Sequence, residues 1–194
     1  NVNSLTVRLG QVEDWIKKAQ PDLLLLQETK QENIKFPHDA ISALGYHAIH
    51  NGQKTYNGVA IISKYELFDI QNNMPDFEDE QKRLIAATVN TDYGKIRIVC
   101  VYVPNGQSVD SDKYQYKLDW LKHFTVWLKN EMVSFPDIII AGDFNIAPQD
   151  IDCHDPEAWK NNILVSPKER DAFQKIIDLG LSDNFRAMNP NEIQ

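Results

Sequence analysis

The sequence has little that would take it out of an aqueous, reducing compartment. It holds two cysteines in 194 residues, Cys100 inside an apolar strand pattern and Cys153 in a polar stretch, with no metal-like spacing. Such a pair builds no disulfide framework and fits a reducing cytosol, where single thiols mostly serve packing. No run approaches the roughly 18 apolar residues of a membrane span. The first residues, NVNSLTVRLG, lack the basic start and apolar stretch of a signal peptide. Positive charge is scarce: 20 Lys and Arg against 28 Asp and Glu leave a formal net charge of −8. That balance excludes a broad basic coat for nucleic acid. It leaves room for a local basic or metal-bridged phosphate site, because steering depends on where charges sit. Low-complexity tracts, linkers and short-period repeats are also missing. What is present is 42% hydrophobic content, ample for a core at a length of about one domain.

Along the chain, helical and strand patterns alternate. Leu5, Val12, Trp15, Ile16 and Ala19 recur near helical spacing over residues 5–19, and Pro21 ends that segment. Leu23 to Gln27 follows at once as a strand. DAISALG reads as a short helix closed by Gly45, and NGVAIISK, residues 57–64, as another strand. QKRLIAATVNTDYGKIRIVCVYVPNG predicts two strands joined across Asp92 to Gly94. In its second arm Ile96, Ile98, Cys100 and Tyr102 share one face, since side chains alternate along a strand. A long helix is expected over roughly Tyr114 to Val133, with Leu118, Leu121, Phe124, Thr125 and Leu128 on its apolar stripe. In SPKERDAFQKIIDLG, Ser166 and Glu169 form a capping box, Pro167 takes the first helical position and Gly180 stops the helix. One coarse echo recurs: helix, Pro-Asp, apolar strand, acidic end. Two sheets with outer helices would bring both strand ends to one rim. The expected architecture is therefore a single α/β domain over residues 1–194.

The echo carries the chemistry. PDIIIAGDFN (136–145) reads as a buried strand that nevertheless finishes in Asp143 and Asn145, and PDLLLLQET (21–29) finishes in Gln27 and Glu28. On a continuous strand Asp143 and Asn145 point to one side, roughly 7 Å apart, with Phe144 on the other. The carboxylate can hold a metal or polarise a water, and the amide can donate to a phosphoryl oxygen without adding negative charge. Glu28 is an oxygen ligand of the type magnesium prefers. The plainer alternative is that Asp143 and Asn145 cap a turn, because both residue types are common there.

NVNS at the start, LQETK at 26–30, YVPNG at 102–106 and GDFNIAP at 142–148 are similar to the exonuclease III family of abasic-site endonucleases. This family lies within the wider endonuclease/exonuclease/phosphatase superfamily. NGVAIISK, QKRLIAATV and SPKERDAFQKIIDLGLSDNFR match it in the same order, so the resemblance covers nearly the whole chain. GDFN and the strand-end Gln-Glu are shared across the superfamily, whereas LQETK with YVPNG and the Ser-Pro…Glu-Arg helix belong to the abasic-site branch. The resemblance implies two packed mixed sheets flanked by helices, a four-layer, deoxyribonuclease I-like sandwich. It implies hydrolysis of DNA phosphodiesters with Mg2+, or Mn2+ in its place. Glu28 is then the metal carboxylate with Asn1 beside it, and Asp143 and Asn145 complete the metal-side set. Asp143 orients or deprotonates the attacking water, Asn145 steadies phosphoryl oxygens, and Tyr102 offers its phenol to the transition state. Asn105, Tyr56 and Arg83 become DNA contacts, although Tyr56 and Arg83 read equally well as ordinary surface residues. Tyr102 has a core-edge alternative, and Lys30 reads as a neutraliser of Glu28.

The family builds a strand ending at the asparagine with which this sequence begins, and continues for tens of residues beyond NPNEIQ. The expectation is therefore a domain incomplete at both ends and inactive as a fragment. The missing part would carry the sugar pocket, a further aspartate and an Asp-His pair. Implied partners are double-stranded DNA with abasic sites or blocked 3′ ends, acted on by a cytoplasmic monomer, nucleoid-associated in a bacterium. A phosphoesterase of the superfamily acting on a non-DNA phosphodiester, and a non-catalytic DNA-binding module, are the competing readings. The joint presence of Glu28, Tyr102, Asp143 and Asn145 argues against the last.

Overall fold

The computed structural model describes residues 1–193. They divide into two compact units, one formed by Asn1–Tyr102 with Glu131–Asp143, the other by Val103–Asn130 and the residues from Phe144 onward.

The first unit contains both sheets. Helix α1 (Leu5–Ala19) leads into β1 (Leu23–Gln27), α2 (His38–Ala43), β2 (His47–Asn51) and β3 (Val59–Ser63). These three strands form an antiparallel sheet in the order β1-β3-β2. β3 is buried at all five positions, which a central strand covered on both faces requires. The period of two then divides its side chains. Ala60 and Ile62 join Leu5, Val12, Ile16 and Ile41 in a cluster on the helical side. Val59 and Ile61 face the other sheet and pack with Ile85, Ala87, Val89, Ile98 and Cys100. The leucines of β1 split the same way, Leu24 and Leu26 toward the helices and Leu23 and Leu25 toward the second sheet.

That second sheet runs β4 (Leu67–Asn72), β5 (Leu84–Thr91), β6 (Gly94–Tyr102) and β7 (Ile138–Asp143) in spatial order. β5 and β6 make the expected hairpin, turning at Gly94 with φ +118°. β6 and β7 are parallel, so a long crossover must join them. Arg97 on β6 is buried and pairs with Glu131 at 2.6 Å, its guanidinium 4.4 Å over the Phe135 ring.

The second unit holds most of α3 (Asp112–Ser134), then α4 (Pro156–Trp159), α5 (Pro167–Ile177) and α6 (Asn184–Met188). The capping box forms as expected: the Ser166 side chain accepts from the Glu169 amide, and the Glu169 carboxylate accepts from the Ser166 amide. Among the described residues no helix is long and apolar enough to cross a membrane.

Several sequence expectations need correction. Two strands went unread: β2 carries two histidines, and β4 is a largely exposed edge strand whose register slips between Phe68 and Gln71. Trp15 lies off the packed stripe of α1 and is 48% exposed. The buried stripe of α3 runs through Tyr114, Lys117, Trp120, Leu121, Phe124, Trp127 and Leu128, shifted from the expected Leu118 and Thr125. PDIIIAGDFN is not a fully buried strand, because β7 pairs only with β6 among the described residues and leaves Ile139 exposed. The strand also stops at Asp143. Asn145 has φ +50°, a left-handed conformation in which strand alternation no longer applies. Its supposed common face with Asp143 therefore fails as a strand argument. Glu28 likewise lies one residue past β1, with φ +56°.

Because Ile61 is fully buried between the two sheets, Ile61→Ala should cost about 2–5 kcal/mol through lost transfer energy and a residual cavity. Urea unfolding should show a lower midpoint at an unchanged slope; a loss below about 0.5 kcal/mol would mean that the packing there is not tight.

Candidate active site

The end of β1 is locked before any chemistry is considered. Residues 2–5 run beside it, with the amides of Val2, Ser4 and Leu5 donating to the carbonyls of Gln27, Glu28 and Thr29 at 2.9, 2.7 and 3.0 Å. Thr29 is fully buried and its hydroxyl lies 2.8 Å from Nε2 of His50. Burial pulls the His50 pKa down to about 4, so the ring is neutral at physiological pH. A Cβ on Gly58 would come within 2.1 Å of that hydroxyl, hence the glycine. Across the sheets, the Gln27 side-chain amide donates to Cys100 Sγ at 3.4 Å, and the thiol donates to the Leu26 carbonyl at 3.4 Å. Burial pushes the Cys100 thiol up to about 12, which keeps it a proton donor. One residue beyond Gln27 stands Glu28; two residues beyond Cys100 stands Tyr102.

In this frame four of the expected residues meet. The Asn1 side-chain amide donates to Glu28 Oε1 at 2.7 Å and to Asp143 Oδ2 at 2.9 Å. The Tyr102 hydroxyl donates to the same Glu28 oxygen at 2.9 Å. Lys30 pairs with Glu28 Oε2 at 2.9 Å and also donates to the Asn3 side-chain carbonyl. Partial burial alone would raise the Glu28 pKa, but the hydrogen bonds from Asn1, Lys30 and Tyr102 outweigh it and the carboxyl lies below its ordinary range. Burial and the Glu28 charge both push the Tyr102 phenol well above its ordinary value. The hydrogen bond from the phenol to the carboxylate contributes to both shifts, after burial for Tyr102 and beside Asn1 and Lys30 for Glu28.

Arg83 sits on Tyr102, its guanidinium 4.9 Å over the ring and Nη1 donating to the Tyr102 carbonyl at 3.2 Å. Its Nε and Nη2 donate to Gln81 at 3.1 and 2.8 Å. Tyr56 is 67% exposed on the loop before β3. Asn105 and Asn145 belong to the second unit, where Asn105 Nδ2 donates to Asn145 Oδ1 at 3.2 Å and Asn145 Nδ2 to the Val103 carbonyl at 2.9 Å. Sequence reasoning missed Asn3 and Lys117. A lysine among the apolar positions of a helix stripe was the available signal for Lys117.

The described residues contain no group of three or more His, Cys, Asp and Glu side chains able to hold a metal. Glu28 and Asp143, bridged by one amide, still form a partial oxygen set. They fit Mg2+, which takes one or two carboxylates and keeps several waters.

A model of the endonuclease/exonuclease/phosphatase family matches residues 1–191. Exodeoxyribonuclease III of Haemophilus influenzae is 37% identical over 98% of this chain and 74% of its own length. Among solved structures, the 3′ phosphatase NExo from Neisseria bound to a product DNA hairpin aligns with a TM-score of 0.95 at 44% identity. It covers 99% of this chain and 74% of that one. An AP endonuclease from Archaeoglobus fulgidus aligns with a TM-score of 0.93 at 40% identity, over 99% of this chain and 73% of that one.

The Tyr102–Glu28 contact has a titration signature. Glu28, depressed in the folded state, contributes stability above the ordinary carboxylate range and loses it as pH falls through its lowered folded value. Tyr102→Phe removes one donor, so the Glu28 carboxyl should titrate at higher pH, read by side-chain carboxyl 13C NMR. An unmoved titration would show that the hydroxyl does not bond Glu28 in solution.

Proposed function

The chain belongs to the endonuclease/exonuclease/phosphatase family, and on that premise we propose that it acts as a divalent-metal-dependent DNA repair phosphodiesterase. It cleaves duplex DNA 5′ to abasic sites and trims 3′ ends. The observation that carries this reading is the single Asn1 amide joined to the carboxylates of Glu28 and Asp143, with the Tyr102 hydroxyl on the same Glu28 oxygen. Relatives named exodeoxyribonuclease III and AP endonuclease, and one bound to product DNA, support the substrate class.

A phosphodiester is shielded by its anionic oxygens, so the site must both make a nucleophile and offset developing charge. Glu28, with Asp143 and the amide oxygen of Asn1 as further ligand candidates, would hold Mg2+, which supplies that charge compensation when bound. Asp143 aligns the attacking water and takes its proton. Tyr102 cannot serve as a base or phenolate nucleophile while its pKa is raised; its single O–H, given to Glu28 here, turns to the oxyanion as a hydrogen-bond donor during the reaction. Asn145, two residues along from Asp143, has an amide suited to steadying a phosphoryl oxygen without altering the charge. Asn105, Tyr56 and Arg83 are DNA contacts on this reading. An abasic nucleotide has no base to unstack, so extruding it costs little, and that difference selects for it.

The discriminating assay compares an abasic duplex, an intact duplex and a small phosphodiester, with and without Mg2+. Cleavage confined to the small ester would overturn the DNA reading. Asp143→Asn keeps shape but removes the base, and kcat should fall by about 10²–10⁴ while the abasic duplex still binds. Near-normal cleavage would remove Asp143 from the chemistry. Glu28→Gln should raise the Mg2+ concentration needed for half-maximal rate, with part of the rate recovered at high metal.

DNA affinity should weaken only gently with salt. A net charge of −8 leaves no broad basic face, so on the order of two to four phosphates are neutralised, against six to ten for strongly basic binders. Arg83→Ala should lower the slope of log affinity against log salt by about one and affect all sequences alike. The titration uses a non-cleavable abasic duplex in calcium. An unchanged slope with a reduced kcat would assign Arg83 to holding Tyr102 instead.

A further inference from the structure

Lys117 is a lysine where a helix in water would place a leucine. It lies on the packed stripe of α3 between Tyr114 and Trp120, and its side chain and that of its partner Glu169 are both 0% exposed. Its ammonium donates to the Asn145 carbonyl at 2.6 Å, to the Asn105 carbonyl at 3.2 Å, and to the Glu169 carboxylate. Glu169 is held from the other side. Its Oε1 accepts from the Leu164 amide at 3.1 Å, and its Oε2 from the Ser166 amide at 3.2 Å and the Ser166 hydroxyl at 2.6 Å. The stem is fixed as well, since a Cβ on Gly106 would reach Lys117 Cδ at 3.2 Å and Ile163 Cδ1 at 2.8 Å.

The two carbonyls are those of the asparagines in YVPNG and GDFN. Each side chain is oriented by its neighbour, Asn105 donating to Asn145 and Asn145 to the Val103 carbonyl. Asn145 also holds a left-handed backbone, φ +50°, a conformation that asparagine tolerates better than most residues. A buried ion pair is a weak source of stability, because the desolvation of both charges opposes their attraction. An apolar residue would fill the stripe at no such cost, so the retained charge calls for another role.

We propose that Lys117 is a positioning residue: anchored by Glu169, it fixes the backbone of the Asn105 and Asn145 turns, and thereby the direction of both amides. The proposal rests on the nuclease reading for what those amides do, but not for the anchoring itself. A misplacement of about 1 Å in such a group can cost on the order of 100-fold in rate.

Two variants test it. Lys117→Met removes the donor. Lys117→Gln combined with Glu169→Gln removes both charges together, leaves no unpaired buried carboxylate, retains two N–H donors, and keeps a residue accepted in capping boxes. In the metal-free protein the side-chain amide resonances of Asn105 and Asn145 should be dispersed in wild type. They should shift or broaden in Lys117→Met while circular dichroism stays native, and recover in part in the double variant. On abasic duplex, kcat per folded enzyme should fall about 100-fold in Lys117→Met, with KM changed less than about threefold. Asn145→Ala should then cost far less in the Lys117→Met background than in wild type, because the amide it removes is already misplaced. Unmoved amide resonances, a wild-type kcat in a folded variant, or an additive Asn145 cycle would each overturn the proposal. So would loss of folding in both variants, which would make Lys117 a folding residue only. If wild type cleaves no DNA, the nuclease reading fails, and the amide resonances still decide the anchoring.

Discussion

The arrangement of the first unit turns on one neutral amide holding two carboxylates. Asn1 Nδ2 has two hydrogens, and they go to Glu28 and Asp143. Two anions brought this close in a partly desolvated place repel each other, and one of them would ordinarily take up a proton. The Glu28 pKa instead lies below its usual range, because donors from Asn1, Lys30 and Tyr102 outweigh the cost of burial. Without those donors the strand ends would meet as a strained pair. With them the Glu28 carboxyl stays ionised despite its partial burial, a condition for binding a cation.

Bringing those groups together is the work of two sheets. Glu28 follows a strand of one sheet, while Tyr102 and Asp143 end neighbouring parallel strands of the other, at paired register. The sheets pack through Val59, Ile61, Ile85, Ala87 and Ile98. A polar tie then crosses between them, where the Gln27 side-chain amide donates to Cys100 Sγ and the Cys100 thiol donates to the Leu26 carbonyl. Apolar packing sets the distance between sheets but is non-directional; the Gln27–Cys100 contact is directional, and it sits immediately behind the reacting groups. The cysteine is useful here because its thiol, kept protonated by burial, donates while filling the volume of a small apolar residue.

Much of this was legible because the relevant segments are punctuated. Pro21 and Pro136 precede the two apolar strands, Asp92 to Gly94 marks the hairpin, and Ser166, Pro167 and Glu169 begin α5 as a capping box should. The convergence of Glu28 and Asp143 followed from reading strand ends rather than strand interiors, and Tyr102 entered through the resemblance of YVPNG to the exonuclease III family. Asn145 was misplaced for a physical reason: alternation was carried past Asp143, where the backbone turns left-handed and a period of two has no meaning. β2 and β4 were missed because their polar and histidine-bearing residues contribute no apolar run. Lys117 was passed over because a charged residue on an amphipathic helix is counted to the wet face, although its place among the apolar positions of the stripe marked it. Its burial depends on Glu169, which lies 52 residues further along, a pairing that no local pattern reveals.

Amides recur at the ends of the strands and in the turns, where they orient groups without adding charge. A neutral Asn1 offers two N–H groups without adding net charge. Asn105 and Asn145 in the second unit are oriented by hydrogen bonds to each other and to the Val103 carbonyl, again without net charge. The cations are kept in fixed relationships: Lys30 on the far oxygen of Glu28, Arg83 over the Tyr102 ring, and Lys117 buried against Glu169. At these three positions positive charge serves to hold groups in place within each unit.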